Sequence, residues 1–480
     1  MEELEAEVEK AFKELGTEAE KMKPIEALLG IIKNKDPETA YPHSLRVGLM
    51  GYKVAKFMHL DMEVLFYAGL LHDIGKFGVS SEILKKTEGF NDEDMKEMEI
   101  HPLLSYNIVK DIDPFIAEII LRHHRFQGKK SYPKNLPRPK LAVEFGSEDM
   151  VEFYAGILAF LDQYDASKRE NDKHGEDKKP LTREEVINGF IKENKGMRRL
   201  VTEIYRKGIL GDVASDSGMS DKTRELIKKH WTGVRNPEET RCLTKIACTL
   251  RPTHFNGKKK EEFDKSYHER FNVFIGDKLK LGKAFEEYAK KLVDERKQPG
   301  TIYGTAYAML EEFKEIKKLW RANHGLIELL LPISSAELLY DKFNMLSLSK
   351  VLEKATEVMK GTSEDDVVQL TAMRRIAYDL DGKEKKEVPK YDVKNVYDYY
   401  AEDMGKNSSL SSKTLSEELV NNFPTVMRVY EEILKSEKEL IKDKVENAYA
   451  LLLGDRPKMP SFKADCAAAA AYLILSHHKF

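Results

Sequence analysis

Apolar residues recur at three- and four-residue steps along almost the whole chain, the spacing of one face of an α-helix. Val47, Met50, Val54 and Phe57 mark one such face, and Ile116, Ile119, Ile120 and His123 mark another. Glu, Lys, Leu and Ala dominate the composition, and no run shows the two-residue alternation of a strand. The pattern predicts an all-α protein without internal repeats. It breaks at residues 168–180 (KRENDKHGEDKKP), 212–221 (DVASDSGMSD), 381–389 (DGKEKKEVP) and 405–412 (GKNSSLSS). The first break reads as a charged surface loop. The second reads as a linker, because its small and acidic residues have little to bury. The expected organisation is an N-terminal helical domain over residues 1–211 and a second helical region over 222–480, which the break near Lys385 divides again or leaves whole.

Composition narrows the class. At 480 residues and 41% hydrophobic content the chain can build two to four cored domains. Its 79 basic and 82 acidic residues leave a net charge of −3, so no general pull toward nucleic acid or anionic membrane is expected. Cys242, Cys248 and Cys466 form no CxxC pair, which fits a reducing compartment better than a disulfide framework. The first residues, MEELEAEVEKAFKEL, read as an acidic amphipathic helix and not as a signal peptide. The longest apolar run, Ala467 to Leu475, is about half of a membrane span. These features give the expectation of a soluble, cytoplasmic protein.

The candidate chemistry lies in the first third. His43 precedes Val47, Met50 and Val54 by four, seven and eleven positions and so shares their inward face. His72 continues the face of Leu65 and Ala68, Asp73 follows it, and Gly75 is expected to end that helix. His101 precedes Pro102 at a helix junction. His123, with His124 beside it, continues the face of Ile116 and Ile119, and Asp162 continues that of Val151, Ala155 and Leu158. A lone histidine on an apolar face is more often a hydrogen-bonded core residue than a ligand. Several buried imidazoles and carboxylates together need a common counter-charge, because an ionised carboxylate is costly to bury alone. Divalent metals supply that charge, and this donor mixture suits iron, manganese, zinc or similar ions.

Order and context then add a resemblance. The segment from about Tyr41 to Ala166 resembles the HD superfamily of metal-dependent phosphohydrolases, and its HD-GYP subgroup in particular. The subgroup's HSxRV is His43-Ser44-Leu45-Arg46-Val47 here, and its HDIGK is His72-Asp73-Ile74-Gly75-Lys76. Gly78-Val79 through Ile83-Leu84-Lys85-Lys86, the pair His101-Pro102, the run HHRFQGKKSYP from His123 to Pro133 and Asp162-Gln163-Tyr164-Asp165-Ala166 follow in the subgroup's order. The resemblance implies an HD-domain helical bundle, two metal ions with Asp73 bridging them, His43, His72 and Asp162 on one side and His101, His123 and His124 on the other. The metals implied are iron or manganese, with zinc also compatible. It implies hydrolysis of a phosphodiester, with cyclic di-GMP or a related cyclic dinucleotide as substrate. A linear nucleotide or phosphomonoester is the alternative, and a non-catalytic nucleotide sensor or scaffold is a third reading. A homodimer is left open.

The chain departs from the subgroup where HHExxDGxGYP is expected. The Glu is Arg125, the Asp-Gly is Gly128-Lys129, and the Gly of GYP is Ser131, so only Tyr132-Pro133 remains. Thr39 stands where some members place an acidic third-metal ligand, which puts a third metal in doubt. The spacing from His124 to Asp162 suggests an insertion at Gly146–Phe153. Lys76, just past a glycine, is a candidate catalytic and substrate-binding residue that reaches a phosphate oxygen as a point charge, with a solvated lysine after a helix end as the lesser alternative. Arg46, one turn past His43, either contacts phosphate or anchors a carboxylate behind a ligand. Tyr132 is a candidate substrate contact. His59, His174, His230, His254, His268 and His324 read as isolated surface or packing residues, and His477-His478 as a frayed tail. The run Lys258–Lys260 reads as a charged loop. Nothing from about Thr223 onward resembles a known family.

Overall fold

The computed structural model describes residues 1–86, 89–134, 136, 148–167, 181–210, 225, 302–304, 307, 324–340, 346–380, 388–407, 410–438, 440–454 and 460–477. Every regular element among them is helical. The chain divides into two compact units, Met1–His230 and Trp231–Phe480. The expected loop at 168–180, the expected linker at 212–221, the run Lys258–Lys260 and His174, His230, His254 and His268 lie outside the described residues.

The first unit contains α1 (Glu2–Leu15), α2 (Ala19–Lys35), α3 (Ala40–Met58), α4 (Met62–Leu71), α5 (Ser81–Lys85), α6 (Asp92–Met98), α7 (His101–Val109), α8 (Pro114–Arg122), α9 (Glu148–Ala166), α10 (Arg183–Glu193) and α11 (Arg198–Arg206). Short 3-10 turns follow α4 (Ile74–Gly78) and α8 (His123–Phe126). Helix α4 is the centre. Asp61 caps it through Val64 N at 3.3 Å, and every residue from Val64 to Leu71 is buried, as expected for a helix apolar on all sides. It crosses α3 at close backbone range. A Cβ at Gly69 would lie 2.7 Å from the Gly48 Cα, so the crossing depends on the absence of side chains there. This close approach brings His43 of α3 beside the end of α4.

The second unit contains α12 (His324–Tyr340), α13 (Leu348–Lys360), α14 (Glu364–Leu380), α15 (Val396–Lys406), α16 (Leu410–Val420), α17 (Pro424–Lys435), α18 (Ile441–Leu453) and α19 (Pro460–Ser476). The break expected at 405–412 is narrower than its composition suggests, since Gly405 is helical in α15 and α16 begins at Leu410. Ala467 to Leu475 forms an enclosed core helix, and among the described residues no helix is long and apolar enough to cross a membrane. The core is not purely apolar. Arg374 is 2% exposed and forks Glu328 through Nε and Nη2, while its Nη1 lies 3.4 Å from Asp403. Glu337 accepts from Tyr472 at 2.8 Å, from Ser476 at 2.7 Å and from His477 at 3.0 Å. His477 is therefore anchored and not frayed, because a buried carboxylate needs the donor.

Candidate metal centre

Each histidine is aimed by its own local backbone. His72 is the first residue past α4, His101 opens α7, and His123 is the first residue past α8. Their Nδ1 atoms lie 2.8, 2.7 and 2.6 Å from the carbonyl oxygens of Gly69, Met98 and Ile120, in each case three residues earlier. A carbonyl only accepts, so each Nδ1 carries a proton and donates it, and each Nε2 faces inward, as a lone pair wherever the ring is neutral. His43, in the first turn of α3, is held differently: its Nδ1 lies 2.8 Å from Asp165 Oδ2. The Gln127 side-chain amide lies 2.6 Å from Nδ1 of His124.

These atoms converge. His43 Nε2 lies 3.1 Å from Asp162 Oδ1 and 3.3 Å from His72 Nε2. His101 Nε2 lies 3.3 Å from Asp73 Oδ1 and 3.2 Å from His124 Nε2. Three donor groups each fall within 4.8 Å: Asp73 with His101, His123 and His124; Asp73 with His43 and His72; and Asp162 with His72 and His123. All seven residues named from the sequence are thus in one buried cluster, and Asp73 belongs to two of the groups. Asp73 Oδ1 and His123 Nε2 are buried without a hydrogen-bond partner. The His101 nitrogen facing Asp73 Oδ1 has no proton to give, because its proton sits on Nδ1. Acceptor therefore faces acceptor, and a cation between them removes the conflict. The donor set fits a transition-metal centre of imidazoles and carboxylates.

The electrostatics agree. Burial pushes the His101 imidazole down, burial with the neighbouring His72 pushes His123 down to about 3, and burial with His123 holds His124 well below the ordinary range. These rings are neutral at pH 7 and so have lone pairs to offer a cation. Burial opposes ionisation of Asp73, yet the His72 and Lys76 charges keep it well below the usual carboxylate range. Asp162 is likewise held low, against burial, by His43 and His72. His72 is the exception: burial disfavours its charge, but Asp73 and Asp162 outweigh this and lift it to about 10.

The surrounding residues show what sequence reasoning found and missed. Lys76 contacts Asp73 directly through Nζ. Arg46 places Nε and Nη2 each 2.8 Å from the two Asp165 oxygens, so of its two expected roles the carboxylate contact is the one present. Asp165 was quoted within its motif without a role. The clue was its position three residues after Asp162 on one helical face. Tyr132 is 4% exposed and stacks on His124 with ring centroids 4.4 Å apart. Gly75 does not end a helix. Helix α4 stops at Leu71, and Gly75 sits in the 3-10 turn without a positive φ. Its role is close approach, since a Cβ would lie 2.7 Å from Ser105 N and crowd the His101 carbonyl. Ser105 joins the two elements by accepting from Gly75 N and donating to the His72 carbonyl, each at 2.8 Å. In the described part of the expected insertion, Val151 and Phe153 are buried in α9, the helix that carries Asp162.

Comparison with known proteins follows the same residues. The HD domain family model matches residues 40–185, a range that holds all seven cluster residues. The chain is 27% identical over 237 residues to a cyclic di-GMP phosphodiesterase of Thermotoga maritima, covering 45% of this chain and 60% of that one. It is 28% identical over 145 residues to 3'3'-cGAMP-specific phosphodiesterase 3 of Vibrio cholerae, covering 29% of each. It is 27% identical over 147 residues to a cyclic di-GMP phosphodiesterase of Pseudomonas aeruginosa, covering 29% of this chain and 33% of that one. The chain thus spans less than two thirds of the length of each of these relatives. No solved structure gives a significant match. Residues 40–185 match the HD domain family, and the segment resembles metal-dependent phosphohydrolases of the HD-GYP subgroup.

Proposed function

We propose that this chain is a metal-dependent phosphodiesterase that hydrolyses a phosphodiester bond of a dinucleotide. The observation that carries this reading is the buried facing of acceptor on acceptor around Asp73. Two divalent transition-metal ions would be held, with His43, His72 and Asp162 on one side, His101, His123 and His124 on the other, and Asp73 between. When bound, such ions supply positive charge to the phosphate and hydroxide at neutral pH. The chain's own residues do the rest. Helices α3, α4, α7, α8 and α9 exclude water from the donors, which are all buried. Asp165, gripped by Arg46, fixes the ring of His43. Lys76, beside Asp73, meets a phosphate oxygen as a point charge. Tyr132 walls the far side of His124.

The dinucleotide class follows the relatives, whose names specify cyclic di-GMP and 3'3'-cGAMP. A purely sensory role is disfavoured because no member of the expected ligand set is replaced. The test is metal analysis of purified chain together with hydrolysis of cyclic and linear dinucleotides before and after chelation. About two metal ions per chain and metal-dependent turnover are expected. Metal-loaded protein that hydrolyses no phosphodiester would overturn the reading.

A further inference from the structure

The segment after the paired histidines leaves the cluster and returns to the same residue. Tyr132 N donates to the His124 carbonyl at 3.4 Å, the Tyr132 ring stacks on the His124 ring, and Gln127 touches Nδ1 of His124. The Asn194 amide donates to the Phe126 carbonyl at 2.9 Å and fastens the loop to the end of α10. The loop is therefore held against a cluster residue at both ends and braced in the middle.

Its charge is one-sided. Arg125, Lys130 and Lys134 are exposed, and none has an acidic partner among the described residues. Lys129 adds a fourth positive charge in the sequence. The Glu193 carboxylate lies against the loop, its Cδ 2.9 Å from where a Cβ at Gly128 would be, a residue with φ +58°. The two acidic positions of HHExxDG are Arg125 and Gly128 here. Three exposed cations on one short loop without an acidic partner among the described residues give it a positive field that attracts an anion.

We propose that the loop from Arg125 to Lys134 is a subsite for a second, unesterified phosphate of the substrate, so that the chain prefers a linear dinucleotide with a terminal phosphate over a ring-closed one. This rests on the phosphodiesterase reading above. A terminal phosphate carries a charge of about −1.5 to −2 at pH 7, where the diester carries one. Hydrolysis of such a molecule forms a water-derived O–P bond and breaks the P–O3′ bond. The 3′ oxygen takes a proton, and two mononucleotides are released.

The experiment uses the full metal-loaded chain and three probes: linear diguanylate with a 5′-phosphate, the same dinucleotide with a 5′-hydroxyl, and cyclic diguanylate. The readout is the ratio of kcat/KM between probes within one protein, so any loss of folded fraction in a variant cancels. The wild-type chain is expected to favour the 5′-phosphate by about 10-fold at low salt, with the preference shrinking as salt rises. Combining Arg125→Gln, Lys130→Gln and Lys134→Gln is expected to bring the ratio close to one. A wild-type ratio near one, a variant that keeps the preference, or cyclic diguanylate outperforming both linear probes overturns the proposal. If no probe is hydrolysed, the phosphodiesterase reading fails, and equilibrium binding of the two linear probes decides the subsite: equal affinities overturn it, and tighter binding of the 5′-phosphate sustains it.

Discussion

Nδ1 of His43 lies 2.8 Å from Oδ2 of Asp165, while the other nitrogen of the same ring faces Asp162 at 3.1 Å. One turn of α9 thus supplies both the carboxylate in the cluster and the carboxylate that orients its histidine. Asp165→Asn keeps the shape and removes the charge that fixes the ring. The expected outcome is a loss of metal affinity or activity of about 10–100-fold, with helicity unchanged by circular dichroism. Wild-type metal content and rate in that variant would show that Asp165 only packs.

The turn carrying Asp73 is expected to tolerate nothing larger than glycine at position 75. Gly75→Ala inserts a methyl against Ser105 N and the His101 carbonyl. It should cost about 1–3 kcal/mol and reduce metal binding. Gly189→Ala is the internal contrast. Gly189 lies in α10 with open space where its Cβ would go, so the change should stabilise by about 0.5–1 kcal/mol. Thermal unfolding of both variants checks the pair, and equal effects would contradict the packing argument.

His72 predicts a pH dependence. Its metal-free folded value is lifted to about 10, after burial is outweighed by Asp73 and Asp162. The unfolded value is about 6.5. The folded value is the higher one, so the imidazolium stabilises the metal-free fold fully below about pH 6.5, and this contribution is lost as pH rises through about 10. A metal needs the same Nε2 lone pair, so uptake at neutral pH should release a proton. Calorimetry in two buffers of different ionisation enthalpy measures it. No buffer dependence would mean that His72 is already neutral.

In the second unit, Arg374→Met leaves Glu328 and Asp403 buried without their shared cation. The expected cost is about 3–5 kcal/mol by denaturant unfolding. Adding Glu328→Gln should recover part of it. A single variant as stable as wild type would mean that water reaches the network.

Much of the site was legible because its donors sit on helical faces. Four- and seven-residue spacing placed His43, His72 and Asp162 inward without any structure, and motif order joined them. What spacing does not carry is the approach of one backbone to another. Gly75 looks like a helix end in sequence, and only the nearness of α7 shows why it is glycine. Asp165 and Ser105 escaped for a related reason: each acts on a residue far away in the chain, and local pattern does not reveal long-range partners. His477 was misjudged because its position near the end of the sequence says nothing of a buried Glu337 waiting for a donor.

Three of the imidazoles are fastened to carbonyls of the helix that ends just before them. A ring held in that way cannot swivel to follow a neighbour that slides. Each helix therefore carries its nitrogen as a rigid pointer, and a displacement of α7 against α4 by about 1 Å is half of a ~2 Å metal–nitrogen bond. Side-chain rotation has no slack to absorb it. Leu103 is a large apolar residue exposed on α7. A force applied to that outer surface would be read inside the protein as a change in donor spacing, which makes α7 a mechanical handle on the donor cluster.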